Sequence, residues 1–152
     1  MSVRVTAALV LAGLVAASCS SAVEVEPPAA EDEAACERLV GALPERVAGA
    51  ERGEVSPADA GAAWGDPPIV LSCGTTMPEE FDEFSRCEEV AGVGWFVPEE
   101  AFEAGGTITI TTIGWDPVVS VEIPVEHQPP AATMVEVAPA ITEHAELVEP
   151  CQ

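Results

Sequence analysis

The sequence runs to 152 residues and carries 27 acidic against 5 basic side chains, a formal charge of −22 at pH 7. A chain this acidic repels nucleic acid and anionic lipid headgroups alike, and no basic patch offsets it, so a nucleic-acid partner is not expected. Every basic residue is an arginine, and Lys, Asn and Tyr, all encoded by AT-rich codons, are absent, which points to a GC-rich genome.

The N-terminus reads as an export signal. Arg4 supplies one positive charge, residues 5–17 are uncharged and rich in Ala, Leu and Val, and Ala16, Ala17 and Ser18 stand directly before Cys19. A charged start, a short apolar run and small residues before a cut describe a secretory signal over residues 1–18. The run is shorter than the roughly 18–20 apolar residues of a membrane span. A cysteine after two small residues resembles the lipobox of signal peptidase II substrates, whose cysteine receives a diacylglyceryl thioether. Cys19 is therefore the expected lipidation site, placing the protein outside the cytoplasm and anchored to the cell membrane. Ordinary cleavage after Ser18 or Ala22 is the alternative.

Cysteine parity agrees with lipidation. Of five cysteines, Cys19, Cys36, Cys73, Cys87 and Cys151, an odd number leaves one thiol free in an oxidising compartment. With Cys19 lipidated, four remain to form two disulfides, in any of three connectivities. No CxxC spacing suggests zinc, and no cofactor motif is present.

Residues 19–35 combine Pro, Glu and small residues without an apolar period, and read as a lipidated acidic tether ahead of one domain over 36–152. Cys36, Leu39, Val40 and Leu43 fall on one helix face, preceded by acidic residues at the favourable end of the dipole, and Pro44 ends that helix. Turn chemistry at 64–68 leads into a short buried strand at 69–74. The stretch 79–89 is acidic and expected to be exposed except at Phe81, Phe84 and Cys87. Residues 93–97 read as a further strand. Residues 107–113 alternate polar with apolar until the phase slips at Thr112, a strand end or bulge. Val119, Val121, Ile123 and Val125 line one face of a strand, and the short 114–117 connection makes these last two strands an antiparallel hairpin. Pro124 cannot donate to a ladder, so it lies on an edge or beyond the pairing. Near the C-terminus, Met134, Ala138, Ile141, Ala145 and Val148 share a helical face interrupted by Pro139. The preferred reading has Pro139 opening a helix that runs to about Leu147; the other has a longer helix kinked there. The expected fold is α+β: a small, mostly antiparallel sheet with two helices packed on it, held by disulfides.

Cys36-x-x-Leu39, the Leu43-Pro44 helix end, the Trp64-Gly-Asp-Pro-Pro-Ile-Val-Leu71 string with Cys73-Gly74, Trp95-Phe96, and the Val119-x-Val-x-Ile-Pro124 strand resemble, in this order, a family of exported actinobacterial proteins catalogued as a domain of unknown function. The resemblance covers nearly all of the mature chain and implies an envelope protein with no established activity. It implies the pairing Cys36–Cys73, which leaves Cys87–Cys151. The family pattern carries arginine where Ser72 stands, aspartate near Gly94 and arginine near Trp115, so it carries no ligand site onto this chain.

For chemistry the chain offers little. A hydrolase triad needs a histidine between nucleophile and acid; only His127 and His144 exist, and no GxSxG elbow accompanies a serine. The carboxylates of Glu79, Glu80, Asp82 and Glu83, and of Glu99 and Glu100, lack calcium-loop spacing and read as solvated faces. Among the aromatics, Trp64 and Trp95 read as core. Trp115, at the tip of the expected hairpin, is the candidate ligand contact. The expected function is a non-catalytic binding or accessory module of the cell envelope, its partner an envelope protein or cell-wall component. An extracellular hydrolase is the alternative.

Overall fold

Alternation of β-branched with polar residues builds the centre of the fold. In the computed structural model, which describes residues 22–151, the strands in chain order are β1 (Val23–Glu24), β2 (Arg46–Val47), β3 (Ala50–Gly53), β4 (Val55–Ser56), β5 (Gly61–Trp64), β6 (Ile69–Cys73), β7 (Glu88–Val90), β8 (Val93–Phe96), β9 (Ile108–Thr112), β10 (Trp115–Asp116), β11 (Val119–Ile123) and β12 (Glu146–Leu147). The helices are α1 (Glu33–Ala42), α2 (Glu99–Ala104) and α3 (Ala131–His144). Eight strands form one antiparallel sheet in the order β2-β3-β5-β6-β11-β9-β8-β7. β1 with β4, and β10 with β12, form two small separate ladders.

One face of the large sheet is the core. In β6, Ile69, Leu71 and Cys73 are buried while Val70 and Ser72 are half-buried. Val119 and Val121 of β11 lie opposite Cys73 and Leu71, and Ile110 and Ile108 of β9 lie opposite Val121 and Ile123. Paired residues share a face, so these side chains form one apolar layer. α1 and α3 pack on each other and against this layer. Cys36 of α1 is bonded to Cys73 of β6 with a Cα separation of 5.6 Å, and both are almost fully buried. Trp64 and Trp95 are fully buried, as expected, and the Trp64 indole donates to the Pro44 carbonyl at 2.9 Å.

The expected hairpin exists as β9–β11. Its phase slip at Thr112 is a strand end: the buried hydroxyl accepts from the Val119 N–H at 2.9 Å. Pro124 falls just beyond the pairing, which ends at Ile123.

The final helix corrects the preferred reading. Pro139 does not open it; α3 begins at Ala131 and carries Pro139 inside. Pro139 sits on the exposed side, so the Val135 carbonyl that loses its helical partner can turn to water. Burial of Met134, Val137, Ala138, Ala140 and Ile141 across the proline outweighs its helix penalty of about 3 kcal/mol.

Residues 22–32, read as part of a tether, instead lie along the domain. β1 pairs in parallel with β4, and Pro28 packs over Gly74, where an added Cβ would stand 2.5 Å from the Pro28 Cβ. Periodicity cannot reveal a two-residue ladder flanked by prolines. Asp32, at the end of this strap, has its carboxyl pushed above its ordinary 3.8 by partial burial first, then by the charges of Asp116 and Glu31. The native state thus holds this proton more tightly than the unfolded chain. Its contribution opposes folding at neutral pH, and that penalty is relieved as pH falls through the folded pKa.

Two outcomes follow for stability. Replacing Cys36 and Cys73 together by Ala opens a bridge of sequence separation 37 and should cost about 4 kcal/mol on the loop-entropy account, read as a lower urea midpoint. Native protein should also gain stability relative to Asp32→Asn as pH is lowered from about 7 towards about 4, seen in paired urea titrations; a constant difference would contradict the raised carboxyl.

Candidate functional site

The connection from β6 to β7 must cross three strands, because β11, β9 and β8 lie between them. Residues 75–87 make this crossing, and their sequence ties them into turns. Asp82 Oδ1 accepts from the Phe84 N–H at 2.9 Å and from the Ser85 hydroxyl at 3.1 Å, while the Asp82 N–H donates to Ser85 Oγ at 2.9 Å. Phe81 meets Phe96 of β8 edge-to-face, with ring centroids 5.5 Å apart.

The C-terminal residues close against this loop. β12 pairs with β10, the Val148 and Glu149 N–H groups both donate to the Gly114 carbonyl at 2.8 and 3.1 Å, and Cys151 is bonded to Cys87 with a Cα separation of 5.7 Å. Two glycines make this possible. Gly114 (φ +74°) lies so close to the Glu149 backbone that any Cβ would overlap it. At Gly94, a Cβ would stand 2.5 Å from Cys151 Sγ and 2.8 Å from Cys87 Sγ.

Between loop and tail lies an open groove of about 490 Å³. Met77, Phe81, Ile113, Pro150 and the bridge itself supply its apolar lining; Asp82, Glu83 and Glu149 supply carboxylates, and no basic residue lines it. A second hollow of about 410 Å³ lies beside the same loop, at Phe84, Phe96, Val97 and Pro98, where Arg86 and Glu99 form an exposed ion pair at 3.2 Å.

The site residues expected from the sequence fare unevenly. Cys36, Cys73, Cys87 and Cys151 form the two bridges, Cys36–Cys73 and Cys87–Cys151. Cys19 lies outside the described residues. Trp115 is corrected: it is only 6% exposed and packs in the hydrophobic core, so it is no surface contact. Phe84 is corrected in the opposite sense, being 84% exposed. Met77, Ile113 and Pro150 carried no signal, since their relevance comes from the second bridge bringing distant segments together.

The family model described as "Protein of unknown function (DUF3515)" matches residues 1–149. The chain belongs to the DUF3515 family. No curated protein and no solved structure matches it.

His127 Nε2 donates to the Pro67 carbonyl at 2.9 Å, and His144 ends α3. Among the described residues, no group of three or more His, Cys, Asp or Glu is arranged to hold a metal. The acidic cluster at 79–83 divides: Asp82 is committed to the loop turn, whereas Glu79, Glu80 and Glu83 face solvent.

Replacing Gly114 by Ala should push the tail away from β10. Faster amide exchange at Val148 and Glu149, with unchanged protection in β6 and β11, is the expected result; unchanged exchange at the tail would contradict this role for the glycine.

Proposed function

We propose that this protein is an exported lipoprotein, anchored to the cell membrane through Cys19, that acts as a non-catalytic binding or accessory module of the cell envelope. The observation that carries the binding role is the groove beside Cys87–Cys151. A covalent bridge and paired backbone hold its two walls, its lining is apolar, and its charges are all negative. Such a surface suits a basic segment of a partner envelope protein carrying apolar side chains, and disfavours anionic polymers. Two disulfides among four cysteines agree with an oxidising compartment and leave Cys19 free for lipid. His127 is engaged by a backbone carbonyl, which further favours binding over hydrolysis.

Two measurements test this. Cys19→Ala should abolish incorporation of labelled fatty acid and release the protein from membranes; persistent labelling would sink the anchor. Calorimetric titration of the protein with a synthetic peptide alternating Lys and Leu should show binding weakened about tenfold, or 1.4 kcal/mol, by Met77→Arg in the groove. The same +1 change at Val135→Arg, on the exposed side of α3 and outside the groove, should have a much smaller effect. Equal weakening by both would mean that the peptide reads only net charge.

A further inference from the structure

Four residue steps separate Cys19 from Val23, and by Val23 the chain is already bound into the domain. The Val23 N–H donates to the Glu54 carbonyl at 2.9 Å and the Val25 N–H to the Ser56 carbonyl at 3.0 Å. A fully extended chain advances at most about 3.6 Å per residue, so four residue steps can span no more than about 14 Å. The strap stays docked beyond this point. Val25 lies over Gly61, where a Cβ would stand 3.4 Å from Val25 Cγ1; Pro28 covers Gly74; and the chain then enters α1, which Cys36 bonds to the sheet. A free tether reaching from Cys19 to α1 would have an r.m.s. span of roughly 19–22 Å and let the domain turn in any direction. The paired strap removes most of that slack.

We propose that the β1–β4 flank is the surface of this domain that meets the lipid bilayer. The inference rests on the lipidation of Cys19 proposed above. Lipid on Cys19 holds the flank formed by Ala22, Val23, Val55 and Ala58 at the headgroups and restricts the domain to a narrow range of orientations. Attraction does not produce this contact. Glu24, Glu26 and Glu54 are exposed on the flank with only the half-buried Arg52 to offset them, so anionic headgroups repel it. Connectivity alone sets the distance. The groove beside Cys87–Cys151 then lies towards the opposite sheet edge: β5 and β8 are four strand spacings apart, about 19 Å.

The test uses the full lipidated chain in phosphatidylcholine–phosphatidylglycerol vesicles containing nitroxide-labelled lipid. With four cysteines bridged and Cys19 acylated, a fluorophore reacts only with an introduced thiol. Ala58→Cys, which shares a hollow with Ala22 on the flank, is compared with Glu126→Cys, just past the C-terminal end of β11. Quenching at position 58 should exceed that at position 126 several-fold. Inserting about a dozen Gly and Ser residues between Ser21 and Ala22, with an r.m.s. span of about 20 Å, should bring the two sites to similar quenching while fatty-acid incorporation stays unchanged. Equal quenching at both sites in the native-length chain, or no response to the insertion, overturns the orientation and leaves the anchor standing. Absence of fatty acid on the native chain overturns both.

Discussion

Strand β11 is hydrogen-bonded on both sides, to β6 and to β9, and this double pairing is the constraint from which the other features of the domain follow. Val119, Val121 and Ile123 are fully buried on its core face, each contributing about 1.5–3 kcal/mol through removal from water. With β11 central, β6 and β9 must present Ile69, Leu71, Ile108 and Ile110 to the same side, since a slip of one residue would turn every one of them outward. α1 and α3 close that side. The Cys36–Cys73 bridge then ties the first helix to the strand next to the centre.

The same arrangement creates the candidate site. Because β11 and β9 stand between β6 and the β8–β7 edge, the chain leaving β6 has to cross the sheet before it can pair again. That crossing is rich in carboxylates and has few apolar residues to hold it. Its far end is secured by Cys87–Cys151, and the tail on the other side of the bridge is secured by β10 and by the absence of side chains at Gly94 and Gly114. A groove remains where two weakly packed segments are fastened at a few points. Phe84, Leu147 and Val148 are left exposed in these same two segments, which is where an unfilled apolar surface in a strongly acidic protein would serve recognition.

Much of the fold is legible in the residues themselves. Cys36, Leu39 and Val40 repeat at helical spacing and lie buried in α1; the alternation in 107–111 and 119–123 specifies β9 and β11; and the short connection at 113–118 makes them neighbours. Net charge is −22 irrespective of fold, and the cysteine count makes two bridges possible. These are local or additive properties, so chain order suffices to read them.

Tertiary structure decided what depends on segments distant in sequence. Trp115 looks like a loop-tip aromatic until it is seen packed in the hydrophobic core, and Phe84 looks partly buried until the loop is seen to turn it outward. Pro139 reads as a helix start because propensity is local, whereas burial on both sides of it carries α3 straight through. Residues 22–32 lack any periodic signal, yet backbone hydrogen bonds to the Glu54 and Ser56 carbonyls dock them. The groove is the extreme case. Its walls come from residues 77–87, 113–114 and 149–151, and no property of any one segment anticipates the contact, because a ladder partner and a disulfide partner are set only when the chain has folded.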